Sequence, residues 1–313
     1  MSAAQFEAAI WLGEKRLMRS SFPNHPGGFQ KLGLWLKTHG LSSLRVGIES
    51  TGIYGQALAK WLHDHGHHVH ILNPERTAAY ARSIGQRNKT DPADAEMIAA
   101  YVSKHELTPW VPPTPEQETL RAYTRARRQL REQRKQVANQ LGSAPAVVQP
   151  ILKALLADLD RHVATIDAKI KEHVKAHVSL REQIERLCTV IGIGPLTATI
   201  VIAELPLIGP DTDPRAICAW VGLTPKRHQS GKTELPAHLS RKGNAYLRDA
   251  LFMPALVAKR HNPILKPFAQ RLLDKGKSNN SVLGAVAHKL LRILVGLLKS
   301  KTDFNPNWSF QNN

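Results

Sequence analysis

The sequence predicts an α/β domain followed by a mostly helical region, an α/β plus α architecture, and three observations carry that expectation. Over residues 1–108, strand-like stretches alternate with helix-like ones, the pattern of a mixed sheet with helices packed on it. Residues 107–115 then hold Pro109, Pro112, Pro113 and Pro115 and read as a linker. Beyond it, apolar residues recur at helical spacing almost to the end of the chain. With 313 residues there is room for about two domains and a further element.

The elements follow in order. Residues 5–12 and 15–22 flank Gly13-Glu14 and read as a β-hairpin. Residues 28–38 are amphipathic, with Phe29, Leu32, Leu34, Trp35 and Leu36 apolar. Leu44, Val46 and Ile48 alternate with Arg45, Gly47 and Glu49, which is a strand signature. Residues 54–65 read as a helix, 69–72 as a short strand, and 74–83 and 92–104 as helices. Residues 115–141 form one long basic helix. Its Arg121, Arg125, Arg127, Arg128, Arg131, Arg134 and Lys135 spread over about half the circumference, opposite Tyr123, Leu130, Val137 and Leu141. After a break at 142–145, Leu152, Leu155, Leu159, Val163, Ile166, Ile170, Val174 and Val178 recur in steps of three and four, close to a coiled-coil seam. Residues 115–182 are therefore expected to be a helical arm. It is either an antiparallel hairpin with solvated outer charges or a dimerisation arm with a basic side facing nucleic acid, and the two are compatible. Residues 186–303 are mostly helical, interrupted by a polar, turn-rich stretch at 223–244.

Charge narrows the partners. The chain has 43 Lys and Arg against 25 Asp and Glu, a formal net charge of +18. That excess points to a polyanion, nucleic acid or an acidic membrane surface. No apolar run approaches the roughly 18 residues of a membrane span, so no membrane role is expected. The N-terminus lacks the pattern of a secretory signal. Two cysteines, Cys188 and Cys218, exclude a disulfide scaffold and a cysteine zinc cluster, and a reduced cytoplasmic setting fits.

Four constellations can carry chemistry. Glu49 ends a strand, while Asp91 and Asp94 open a helix three residues apart, with Cβ atoms about 5–6 Å from each other on one face. Such carboxylates suit Mg²⁺, which takes hard oxygen ligands and can align a phosphodiester for in-line displacement. Asp91 before Pro92 is equally a good N-cap, and Asp94 a favourable first-turn acid. Second, Gly192-Ile193-Gly194-Pro195 between apolar helices reads as a helix-hairpin-helix that offers backbone N–H groups to a DNA phosphate, or as an ordinary glycine turn. Third, Ser230 sits beside Gly231 among Lys226, Arg227 and Lys232, with Arg241 and Lys242 close behind. A serine so placed can attack a phosphodiester while the cations stabilise developing charge. It is also what the tip of a DNA-facing basic hairpin looks like. Fourth, His63, His65, His67, His68 and His70 crowd one stretch, but alternation scatters them over both faces, and a solvated helix end and strand is the expectation.

Taken in order, these residues resemble the insertion-sequence one-ten transposases, also called DEDD or Piv-like recombinases. The matching pieces are Phe22-Pro23-Asn24 with Gly28-Phe29, Ile48-Glu49-Ser50-Thr51-Gly52, Asn73-Pro74 and Asn88-Lys89-Thr90-Asp91-Pro92-Ala93-Asp94-Ala95. Gly192-Ile193-Gly194-Pro195, Leu223-Thr224-Pro225, Gln229-Ser230-Gly231, Ser240-Arg241-Lys242-Gly243-Asn244 with Leu247-Arg248, and Lys289-Leu290 complete the set. The resemblance covers essentially the whole chain. It implies a RuvC-like, RNase H-type domain over 1–108, the arm over 115–182, and a C-terminal transposase domain over 186–303. It implies Mg²⁺ held by an Asp-Glu-Asp-Asp quartet, with Glu49, Asp91 and Asp94 as its second, third and fourth acids and Ser230 as nucleophile. It further implies donor and target DNA, a structured non-coding guide RNA, a homo-oligomer (dimer or tetramer), and a nucleoid-associated place in the cytoplasm. Arg121, Arg125 and Arg128, the two glycines, and Lys226, Arg227, Lys232, Arg241 and Lys242 are the expected nucleic-acid contacts.

One piece departs from the pattern. Aligning the hairpin places the family's first acid immediately before Met1, so a start assigned too late is expected, the alternative being a genuine loss. Glu7 is a poor substitute, since it lies roughly 20 Å along the strand at about 3.3 Å per residue. Two other functions compete with recombination: a RuvC-like nuclease using metal-activated water, with Ser230 structural, and a nucleic-acid binder without catalysis.

Overall fold

The hairpin at the start of the chain sets the first core. In a computed structural model that describes residues 2–12, 16–50, 52–86, 90–230, 233–240 and 242–307 (residues 16, 53, 226–230 and 233–238 by backbone alone), β1 (Gln5–Leu12) pairs antiparallel with β2 (Arg16–Pro23), Phe6 facing Phe22. Strand alternation puts Phe6, Ile10 and Phe22 inward, where they meet Phe29, Leu32 and Leu36 from α1 (Pro26–Thr38). β3 (Arg45–Glu49) and β4 (His68–Leu72) are parallel, joined through a 3-10 turn at Gly52–Gly55 and α2 (Gln56–Asp64). A parallel pair needs such a crossover, and the helix buries Leu58 and Leu62 in the same core. α3 (Pro74–Ser83) and α4 (Asp91–Lys104) follow. The sequence suggests one mixed sheet. Among the described residues the strands instead form two-stranded sheets, and β1 and β3 line a common cavity without hydrogen bonding to each other.

The chain divides into two compact units at Pro112, and the helical arm belongs to the second unit, Pro113–Asn313. α5 (Pro115–Ser143) and α6 (Gln149–Ala176) form an antiparallel hairpin. Its register is fixed by charge: Arg127 pairs with Asp167, and Arg134, seven residues on, with Asp160, seven residues back. The predicted seam does not run unbroken to Val178. His177 adopts an extended conformation (φ −116°, ψ 99°), and Val178 opens a new helix, α7 (Val178–Cys188). α8 (Pro195–Glu204), α9 (Pro214–Val221), α10 (Ala245–His261), α11 (Leu265–Asp274) and α12 (Asn279–Ser300) complete the helical unit. Contrary to the run-length reading, α12 is long and apolar enough to cross a membrane; it is nevertheless a core helix, with Val282, Val286, Leu290, Leu291, Leu294 and Val295 fully buried. The turn-rich stretch at 223–244 is a hairpin, β5 (Pro225–Ser230) against β6 (Thr233–Leu239).

Candidate active site

The acids converge on the cavity of the first unit. A cavity of about 410 Å³ is lined by Glu49 from the end of β3 and by Asp91 and Asp94 from the first turn of α4. α4 approaches β3 through Ile98 and Val102, so its N-terminus brings both aspartates to the strand's C-terminal end. Capping is not the work of Asp91. Thr90 is the N-cap, its Oγ1 accepting from the Ala93 N–H, and Asp91 is already inside the helix and exposed. The buried Thr77 hydroxyl donates to Glu49 Oε1 at 2.8 Å, and Gln86 Nε2 donates to Asp94 Oδ1 at 3.0 Å. Both contacts orient a carboxylate, and neither was visible in the sequence. Glu7, set aside on strand distance, lines the same cavity, because β1 runs along it rather than away from it.

These oxygen donors match the chemistry of a hard cation. Among the described residues no three acidic, histidine or cysteine side chains are gathered tightly enough to hold an ion as they stand. The histidines form no such group, and His67 and His70 are buried rather than solvated. His70 Nδ1 lies 3.0 Å from the Thr108 carbonyl oxygen, and burial, with the charges of His65 and His68, pushes His67 down.

In the second unit Ser230 ends β5, paired with Thr233 across the hairpin. Lys226 and Arg227 lie on the same strand, where the pairing register shifts between residues 226 and 228. Lys232 and Arg241 fall outside the described residues, and Lys242 is exposed on the loop that leaves β6. Gly194 is the exposed N-cap of α8, whereas Gly192 faces the α10 backbone at Pro254. The cysteines are poor rivals to Ser230 as nucleophile. Burial pushes the Cys188 thiol up, and Cys218 up to about 12, so neither is a thiolate near neutral pH.

Of the arginines of α5, the three expected at nucleic acid, Arg121, Arg125 and Arg128, turn toward protein partners. Arg121 Nε donates to the Ala203 carbonyl at 2.7 Å. Arg125 grips Glu204 with Nε and Nη2, at 2.7 and 2.8 Å. Arg128 bonds Glu132 and Asp249 and lies 4.8 Å from the centre of the Tyr246 ring. Glu204 is almost wholly buried. Burial alone would raise its carboxyl, but hydrogen bonds from Arg125 and Asn244 and the charges of Arg125 and Arg121 together hold it below the usual carboxylate range.

Removing Arg125 is therefore expected to strand a buried charge. Arg125→Ala should cost about 3 kcal/mol, the low end for a broken buried pair, because half of the Arg125 side chain is in solvent. The sign with pH is fixed by the depressed carboxyl. Its stabilising contribution is present above the unfolded value of 4.5 and is lost as pH falls through the lower folded value. Urea unfolding at pH 7 should show the full gap between wild type and variant, and the gap should shrink as acidification protonates the stranded carboxyl before the paired one. A pH-independent gap would mean that Glu204 is not the group left unpaired.

Comparison with known proteins covers both units. Residues 1–145 match a family model described as Transposase, and residues 184–270 match one described as Transposase IS116/IS110/IS902 family. The pilin gene-inverting protein of Moraxella bovis is 29% identical over 305 residues, covering 95% of this chain and 94% of that protein. Its counterpart in Moraxella lacunata is 30% identical over the same length and coverage. The transposase for insertion sequence element IS1111A of Coxiella burnetii is 26% identical over 260 residues, 73% of this chain and 70% of that protein.

Proposed function

Since the chain belongs to the IS116/IS110/IS902 family of transposases, we propose that it breaks and rejoins DNA through a covalent link to Ser230, with Mg²⁺ held by Glu49, Asp91 and Asp94 and with a structured non-coding RNA choosing the sites. The observation that carries the metal part is the convergence of those three carboxylates on one cavity, two of them oriented by Thr77 and Gln86. Bound there, the cation would neutralise charge developing on phosphate oxygens.

Ser230 lies at the end of a hairpin strand in a cationic stretch, the setting a phosphodiester-attacking hydroxyl needs. Its oxygen bonds to phosphorus as the bond to the leaving strand's oxygen breaks. The serine proton departs, and the leaving oxygen gains one. One phosphodiester replaces another, so rejoining needs no outside energy source. The same exchange serves the inversion for which the Moraxella proteins are named and the movement of an element. Lys226, Arg227, Lys232, Arg241 and Lys242 surround Ser230 in the sequence and are assigned to phosphate contact, as is the exposed α8 N-terminus at Gly194. The protein partners of Arg121, Arg125 and Arg128, buried for the first two and at the surface for the third, favour a positioning role for those three instead. The arm over 115–182 carries exposed Val147, Ile151 and Leu155 near its tip, which supports its assignment to homo-oligomer assembly.

The test uses end-labelled duplex carrying the element's own ends, the RNA transcribed from its flanks, and the full chain. A protein–DNA adduct that survives denaturing electrophoresis is expected in Mg²⁺. It should disappear with EDTA or after ribonuclease treatment of the RNA. Free cleaved DNA without an adduct would replace this reading with a hydrolytic nuclease, and an adduct formed in EDTA would remove the metal from it.

A further inference from the structure

The base of the β5–β6 hairpin is fastened at two points, and the second runs through a residue that no motif marks. The first is backbone against backbone. Gly222 ends α9 at φ 82° and Gly243 follows β6 at φ 117°, both in the left-handed region. A Cβ on Gly222 would overlap the Lys242 carbonyl oxygen, and one on Gly243 that of Trp220, so the end of α9 that leads into the hairpin and the loop leaving it touch without side chains. The Ser240 N–H donates to the Thr224 carbonyl at 3.0 Å just beside this contact, and Arg248 Nη1 donates to Val221 O at 2.7 Å.

The second is the carboxylate of Glu204. Asn244 Nδ2 donates to Glu204 Oε2 at 2.7 Å, while Asn244 Oδ1 accepts from the Leu247 N–H and caps α10. The same carboxylate holds Arg125 of α5. One buried acid thus joins the end of α8, the helical arm, and the loop through which β6 reaches α10. Leu223 and Leu239 seat the two hairpin ends on the apolar core, but apolar contact has no direction, whereas the hydrogen bonds fix the loop's angle.

We propose that Glu204 and Asn244 are positioning residues that set the β5–β6 hairpin, and with it the strand carrying Ser230, against the helical unit. The proposal rests on the assignment of Ser230 as nucleophile for its catalytic meaning, but not for its structural one. A misplacement of about 1 Å at a reacting group costs on the order of 100-fold in rate. A charged buried acid at the hairpin's base is a means of avoiding it.

Asn244→Asp separates the two duties of the side chain. Aspartate caps a helix as well as asparagine does, yet it cannot donate to Glu204 and places like charges together. Pairing it with Glu204→Gln restores a donor, because the introduced glutamine amide can donate to the introduced aspartate while its oxygen still accepts from Arg125. Three measurements are made on the full chain: amide hydrogen exchange, equilibrium binding of the labelled duplex, and the rate of Ser230 adduct formation at saturating DNA. For Asn244→Asp, exchange in the paired amides of residues 225–239 should rise about tenfold, equivalent to 1.4 kcal/mol, as a lost hydrogen bond to a charged group predicts. α12 should be unchanged. Binding should stay within about twofold and adduct formation should fall at least about tenfold. The double variant should recover both exchange and rate.

Unchanged hairpin exchange in Asn244→Asp would overturn the proposal, whatever happens to the rate. So would a double variant no better than the single. If the wild type forms no Ser230 adduct, the nucleophile assignment fails, and the exchange data still decide whether Glu204 and Asn244 set the hairpin.

Discussion

Ser230→Ala is expected to abolish covalent adduct formation and strand exchange, a loss on the order of a thousandfold or more, because no other group supplies the bond that is made. Binding should change little. The substitution removes one oxygen and no charge, so the salt-dependent phosphate contribution of the surrounding lysines and arginines persists. Fold should be unaffected as well, since Ser230 is the last residue of a strand and alanine can keep its backbone pairing with Thr233. The measurement is adduct yield beside a binding isotherm at two salt concentrations. A variant that still forms the adduct would move the assignment to another hydroxyl, with Ser240 the first to test.

The second large effect belongs to the aspartates of α4. Asp91→Asn and Asp94→Asn should each lower Mg²⁺-dependent adduct formation by at least about 100-fold, since loss of even an outer partner of a metal ligand costs 10- to 100-fold. Thermal unfolding should barely move. Thr90, not Asp91, caps the helix, and asparagine is nearly the same size as the acid it replaces. Because Asp94 is held by Gln86 while Asp91 is exposed, Asp94→Asn should show the larger structural response of the two, visible as a shift in Mg²⁺ concentration for half-maximal rate. Full activity in both variants would return the pair to helix-end electrostatics.

How much of this was legible in the sequence depends on the range of the interactions. The β1–β2 hairpin, the strands β3 and β4 with a helix between them, and the bounds of α3 and α4 follow from periodicity, proline and turn residues acting over a few positions. So did the shared face of Asp91 and Asp94. The long-range partners of Arg125 and Arg128 could not be read this way, because Glu204 and Asp249 lie 79 and 121 residues further on. Weighing the cations of α5 against acids of the same helix made the face look solvated, when the balancing charges sit on α6, α8 and α10. The break at His177 carries no glycine or proline, and an unbroken seam was the natural expectation. The β5–β6 hairpin was foreseen only as a turn at Ser230-Gly231, and the bounds of its strands were hidden for the opposite reason. Its strands are polar and β6 contains Pro236, which argues against a strand unless an edge is free. Two-stranded sheets where one mixed sheet was expected reflect pairing between distant strands, which local pattern does not specify.

The proposed mechanism turns on one covalent bond, and the position of that bond can be read directly. Adduct formed by the full chain on labelled duplex is trimmed with nuclease, digested with trypsin and analysed by mass spectrometry. Cleavage after Arg227 and Lys232 releases residues 228–232, in which Ser230 is the only hydroxyl-bearing residue, while Ser240 falls in the next peptide, residues 233–241. A nucleotide mass on residues 228–232 is the predicted result. The same mass on residues 233–241, or on no peptide at all while strands are nonetheless exchanged, would contradict the assignment of Ser230 and the serine mechanism with it.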